Sequence, residues 1–322
     1  MQRNNWATLF KALSSFIILY LLYRNLDLSS KSFIDTWNQI ELGWLLIVLP
    51  IVVLVLGLKS FRWRSIILSD GYLYPWKSSF VAYLAAYSIG VVTPGRVGEF
   101  LKVYSLRREV QDLGTLQAFQ TVLVDRLFDM CFLGWFGFSG LLYFLKPFGK
   151  LSAGNALLVS LIFVVLGLFL ANYILAWVTR NYFRENKLLL FSKDCLNRMT
   201  GTGNIHTWIY TALAYAIYFA SIHFLMLSLN ILIPFIETCF IISLIGLILL
   251  LPISVAGFGT REAGLVYLFS LYNLSAETAI SFSLLQFATF FVWGGLIGLF
   301  FYNLNPISFN ELKTDVMKIF RK

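Results

Sequence analysis

Thr93-Pro94-Gly95-Arg96-Val97-Gly98-Glu99 interrupts an otherwise apolar run from Ser78 to Leu106, and its reading decides the fold. A second interruption, Pro252-Ile253-Ser254-Val255-Ala256-Gly257-Phe258-Gly259-Thr260-Arg261-Glu262, breaks the apolar run from Phe235 to Tyr272. Each sets helix breakers beside an Arg/Glu pair. The arms left after the breaks, Val97–Leu106 and Ala263–Ala276, are too short to cross about 30 Å of hydrocarbon, which takes roughly 17–25 helical residues. Non-helical backbone at membrane depth is tolerated only where protein or a wet cavity surrounds it, so each segment reads as a re-entrant helical hairpin.

Composition establishes the membrane setting. Of 322 residues, 59% are hydrophobic and 13% charged, against roughly 45–50% and 25% in soluble domains, an excess that no aqueous fold of this size can hide. Around the two hairpins lie about six full transmembrane helices: Asn4–Tyr23, Leu42–Leu58, Met130–Leu145 extended back through Asp125, Ser152–Thr179, Thr207–Ile236 and Thr278–Asn310. The run Thr238–Thr260 also has the length of a span and forms the first arm of the second hairpin. The first stretch has no small-x-small cleavage site before Arg24, so it reads as a retained anchor. Cys131, Cys195 and Cys239 are far apart and only two histidines occur, so no metal centre or redox pair can be written and no cofactor is expected. His223, alone in an apolar helix, reads as a packed core residue.

The net charge of +9 is explained by location rather than by nucleic acid. With a cytoplasmic N-terminus and both hairpins entering and leaving on one side, 18 Lys and Arg fall inside and four outside, as the positive-inside rule requires. If Ser78–Leu106 crossed once instead, Arg180 to Arg198 would face outward. Both termini are thus expected in the cytoplasm, in the plasma membrane. The order helix, helix, hairpin, helix then occurs twice in opposite orientation, an inverted-topology repeat with its substrate site at the midplane. One integral membrane domain, 1–322, divides into halves near 1–150 and 151–305, followed by a basic tail, 306–322.

Seven ionisable residues fall at membrane depth, where each costs about 2.5–3.5 kcal/mol on insertion scales: Arg96, Glu99, Asp125, Arg126, Asp129, Arg261 and Glu262. Their near-neutral sum predicts mutual pairing. Asp125 and Asp129, at i and i+4, share a helix face expected to point at the first hairpin. Thr93 before Pro94 reads as an N-cap with proline at the first helical position, and Thr260 as a second N-cap. An arginine in the first turn of each helix, beside free N–H groups, makes an anion site, with phosphate as the membrane anion. Gly95, Gly98, Gly257 and Gly259 permit close backbone approach, and Pro252 completes the second break. Structural salt bridges holding two turns in place are the plainer alternative. Arg62-Trp63 reads as a cytoplasmic anchor, with Trp63 at the interface, that also gathers anionic headgroups.

These elements together, Thr93 to Glu99, Asp125-Arg126-Leu127-Phe128-Asp129, Leu251 to Ala263, and Arg62-Trp63, resemble the lysylphosphatidylglycerol synthase transmembrane family over roughly residues 6–304. The resemblance implies lipid translocation, as by the flippase-like module of the multiple peptide resistance factor in the bacterial inner membrane. The chain as read, ending at Lys322, is expected to lack the soluble aminoacyl-transferring domain. A phospholipid, a polyprenyl-phosphate-linked lipid and a hopanoid-type lipid all remain open as cargo. Two other readings remain: a membrane-embedded transferase on a lipid phosphate with Glu99 or Asp125 as base, and a non-catalytic partner of a lipid-modifying enzyme. Oligomeric state is not legible.

Overall fold

The computed structural model describes residues 20, 24, 30–146, 149, 151–181, 186–201, 204–250, 254 and 257–304. The expected first span, Asn4–Tyr23 but for Tyr20, lies outside the described residues, as do Pro252 and the tail from residue 305. The described chain is helical throughout. In order come α1 (Ser30–Asn38), α2 (Leu42–Ser69), α3 (Trp76–Val92), a 3-10 turn (Pro94–Leu101), α4 (Lys102–Glu109), α5 (Thr115–Leu145), α6 (Ala153–Asn181) and α7 (Lys187–Thr200). Then follow α8 (Ile205–Ser228), α9 (Phe235–Leu250), α10 (Thr260–Ser270), α11 (Ala276–Gln286), a π-helical stretch (Phe287–Trp293) and α12 (Gly294–Leu304).

Five helices among these residues are long and apolar enough to cross a membrane, counting 276–303 as one. Such helices are apolar all round, so their packing rather than an amphipathic stripe decides which face is inside. Helix α5 extends back to Thr115, carrying Asp125, Arg126 and Asp129 in mid-helix as expected. The expected Thr207–Ile236 span is shorter: α8 stops at Ser228, and Asn230 takes a left-handed φ of 56° before Pro234 restarts the chain. Helix α9 is 16 residues rather than the full Thr238–Thr260.

Helix α2 packs along α8 at the centre of the bundle. Helix α3 packs on α12, and α9 packs on α5. Helix α6 contacts α5 and α7 and is otherwise exposed, as a lipid-facing helix would be. At one end of the bundle Glu237 accepts from Tyr143 (2.8 Å) and from Tyr272, tying α5, α9 and the segment after α10. At the other end Arg198 of α7 pairs with Asp70 after α2.

Local chemistry sets the two breaks. Thr93 ends α3 and caps the 3-10 turn, with Pro94 at its first position as expected, and its Oγ1 accepts from the Gly98 N–H at 2.8 Å. Gly98 is required for close approach: a Cβ there would lie 2.6 Å from the carbonyl carbon of Ile89. Arg96, a non-glycine residue in this break, takes a left-handed φ of 56°. Such a non-glycine conformation costs of order 1–3 kcal/mol and clusters at functional sites. In the second break the N-cap is Gly259, φ 86°, and Thr260 is the first helical residue, correcting the expected cap. The reason is Glu262, whose Oε2 accepts the Gly259 N–H at 2.7 Å. The Thr260 hydroxyl turns back instead to Ser254 Oγ (2.8 Å) and Gly257 O (3.2 Å).

Candidate functional site

The charged residues form two constellations. The first joins α2, the first break, α4 and α5. Asp125 Oδ1 accepts from Arg62 Nε at 2.8 Å and its Oδ2 from Lys102 Nζ at 2.8 Å. Asp129 Oδ1 accepts from Arg62 Nη1 at 2.7 Å and Lys59 Nζ at 3.0 Å. Arg126 pairs with Glu99, whose carboxylate also lies 3.6 Å from Arg96 Nη1. The face bearing Asp125 and Asp129 therefore meets α2, through Arg62 and Lys59, and α4, through Lys102.

Aromatic rings finish the shell. Lys102 Nζ lies 4.2 Å from the Tyr83 ring centre and 5.2 Å from that of Trp63, and Lys59 Nζ lies 5.2 Å from that of Tyr215. Such contacts hold cations where water is scarce. The Tyr215 hydroxyl donates to Asp129 O at 3.0 Å.

Arg62 and Trp63 are both fully buried, which corrects their reading as an interfacial anchor that gathers headgroups. Arg62 is held by two carboxylates, and Trp63 Nε1 donates to Thr121 Oγ1 at 3.1 Å. Lys102, counted as a cytoplasmic loop cation, is likewise buried, and Lys59 is largely so. Sequence reading missed Lys59 and Lys102 as members of this network. One signal was present: Lys59 and Arg62 are three apart on α2, matching the i, i+4 carboxylates of α5.

The second constellation is compact. Arg261 Nε donates to Ser283 Oγ (2.6 Å), and Nη2 to Glu262 Oε1 (2.8 Å). Ser283 Oγ in turn donates to Glu262 Oε1 at 2.5 Å. Arg261 and Glu262 are both buried, and Arg261 Nη1 has no acceptor. Ser283, a third partner from α11, carried no sequence signal.

The π-helical stretch connects the two. The guanidinium carbon of Arg261 lies 5.4 Å from the Phe287 ring centre, and that of Arg96 lies 5.7 Å from the Phe291 ring centre. Phe287 and Phe291 stack on each other at 5.2 Å. The Phe290 carbonyl accepts from Tyr87 Oη at 2.7 Å, and the Tyr87 ring is 5.6 Å from Arg96. Tyr218 of α8 is within electrostatic reach of both Arg96 and Arg261. π-Helical turns are frequent at functional sites. Here one turn sets both arginines against one stacked pair of rings, although they are 165 positions apart. Their side-chain exposures differ: 40% for Arg96 and 2% for Arg261.

Among the described residues no group of three or more His, Cys, Asp and Glu is placed to hold a metal ion. A family profile described as lysylphosphatidylglycerol synthase TM region matches residues 8–298. The chain is also 25% identical over 311 residues to UPF0104 membrane protein MJ1595 of Methanocaldococcus jannaschii, covering 88% of this chain and 90% of the relative. The arginine-bearing breaks, the carboxylate face of α5 and the π-helical stretch all fall inside the matched region, and the chain belongs to the lysylphosphatidylglycerol synthase transmembrane-region family.

Proposed function

We propose that this integral membrane protein moves a lipid with an anionic headgroup between leaflets. The observation that carries this reading is the approach of Arg96 and Arg261 to the stacked rings of Phe291 and Phe287, with Arg261 Nη1 left without an acceptor. Taking a phosphate through hydrocarbon leaves its charge unpaired, the barrier that such a protein must lower. A guanidinium fork offers charge-assisted, bidentate hydrogen bonds to phosphate oxygens. Arg96, the more exposed, receives the headgroup, and Arg261 holds it deeper.

The accompanying architecture is an inverted repeat whose two breaks are re-entrant. Reciprocal packing supports it: the first arm of each hairpin, α3 or α9, lies against the last helix of the other half, α12 or α5, while α2 and α8 pair at the centre. Alternating access then follows from rocking of one half on the other. Both termini are cytoplasmic in this reading and the membrane is the plasma membrane.

Liposomes holding the purified chain and a fluorescent anionic lipid test the function. Leaflet exchange lost in both Arg96→Ala and Arg261→Ala is the expected result. A covalently altered lipid would instead establish a transferase. Neither exchange nor alteration across several anionic lipids would leave a partner of a lipid-modifying enzyme.

A further inference from the structure

We propose that the site prefers a headgroup carrying about two negative charges, a terminal phosphomonoester or a diphosphate, over a singly charged phosphodiester. The inference rests on the lipid-transport reading and narrows its substrate class. Charge counting carries it. Among the described residues the first constellation holds five cations, Lys59, Arg62, Arg96, Lys102 and Arg126, against three carboxylates, Glu99, Asp125 and Asp129, an excess of two. The second constellation, Arg261 with Glu262, is balanced.

The excess has a location. Asp125 is occupied by Arg62 and Lys102, and Asp129 by Arg62 and Lys59. Glu99 takes Arg126 and, at 3.6 Å, Arg96, with Arg126 also 3.8 Å from Asp129 Oδ2 and 4.0 Å from Asp125 Oδ2. Donor capacity is left on this side: Arg126 Nε is buried without an acceptor, and Arg96, 3.6 Å from its carboxylate, has a side chain 40% exposed. Arg261 Nη1, also without an acceptor, belongs to the side chain beside Phe287, whose ring stacks on the Phe291 ring near Arg96.

Uncompensated charge at membrane depth is costly, and a bound anion offsets it. A phosphodiester supplies one charge and two free oxygens. A phosphomonoester supplies about 1.5–2 negative charges near pH 7 and three strong acceptors. A group of that charge neutralises the excess, whereas a phosphodiester leaves half of it.

The full chain in nanodiscs of zwitterionic lipid, titrated with phosphatidic acid or with phosphatidylglycerol of the same acyl chains, tests this by native mass spectrometry. Phosphatidic acid is expected to bind about tenfold tighter at about pH 8, the scale of one further desolvated charge pair. The preference should shrink toward unity at about pH 5.5, where the phosphomonoester dianion takes up one proton and falls toward a single negative charge. Lys102→Met, which lowers the excess to one, should shrink it at the higher pH as well. Equal affinities at the higher pH, or a preference unchanged by pH, would overturn the inference while leaving lipid transport standing. Binding of neither lipid would overturn both. A polyprenyl monophosphate arm distinguishes the source: whichever of it and phosphatidic acid binds tighter names the tail, and both carry the headgroup assigned here.

Discussion

Arg126 and Glu99 form the ion pair that fastens α5 to the first break, and Arg96 is a second, looser claimant to the same carboxylate at 3.6 Å. One carboxylate shared by two guanidinium groups is a natural exchange point. With Arg126 on Glu99, Arg96 is left 3.6 Å from the carboxylate and 5.7 Å from the Phe291 ring centre. The sharing leads to an asymmetric prediction. Arg126→Gln hands Glu99 to Arg96 and should slow leaflet exchange of an anionic lipid about tenfold, equivalent to about 1.4 kcal/mol. Glu99→Gln frees both arginines and should tighten binding while slowing release. Native-rate exchange by Arg126→Gln in the liposome assay would refute the sharing.

Asp125 is the most heavily committed carboxylate, since it pairs with two cations that are themselves buried, Arg62 and Lys102. Asp125→Asn should cost about 3–5 kcal/mol, the usual penalty for stranding a buried charge. The double change Asp125→Asn/Lys102→Met should recover part of that loss, because the stranded ammonium is gone. Asp129→Asn should cost less, its side chain and that of Lys59 being in partial contact with solvent. Thermal unfolding in one detergent ranks the four proteins.

Ser283→Ala removes a hydroxyl that accepts from Arg261 Nε and donates to Glu262 Oε1. The expected loss is about 1–3 kcal/mol, the cost of leaving buried polar partners unsatisfied. Glu262→Gln keeps an acceptor for the Gly259 N–H but not the charge facing Arg261, and should be more damaging. Unfolding measurements that place Glu262→Gln above Ser283→Ala in stability would contradict this order.

Gly98→Ala forces a methyl to within 2.8 Å of backbone atoms of Ile89 and Gly90, which cannot rotate away. A loss of about 1–3 kcal/mol is expected for such overpacking. Gly43→Ala, where nothing lies within 4 Å, serves as the control. Equal melting temperatures for the two variants would show that the first break is looser than its geometry.

Topology is open to labelling with a membrane-impermeant maleimide. Gly149, after α5, and Asn273, after α10, follow the end of the bundle tied by Tyr143, Tyr272 and Glu237. Single cysteines at Gly149 and Asn273 should react from outside, and one at Gly203 only from inside. The native background is low at Cys195, because burial pushes its thiol up to about 11 and the reactive thiolate is scarce. Reaction at Gly203 from outside would sink the hairpin topology.

Particular residues show how far the sequence reached into this fold and site. Pro94 and the run of glycines announced both breaks, because helix breakers act locally. Asp125 and Asp129 declared a shared face by spacing alone. Thr260 misled, since a hydroxyl before an acidic turn is a sound N-cap signal until a glycine with positive φ competes one residue earlier. Arg62 and Lys102 misled for another reason. A cation near the end of an apolar helix reads the same whether it reaches for water or is buried against a carboxylate, and only the neighbouring helix decides.

By itself, then, the sequence determined that the chain is a helical membrane protein with two interrupted segments and that Arg96, Glu99, Arg261 and Glu262 sit at the interruptions. Hydropathy, helix breaking and charge cost are properties of short stretches, so they survive without coordinates. Tertiary structure alone decided that Lys59, Arg62 and Lys102 join the buried charges, that the first constellation is cationic by two, and that both arginines meet the rings of the Phe287–Trp293 turn. Those facts depend on which helices face each other and on a change of helical register. Both are set by packing between segments far apart in the chain.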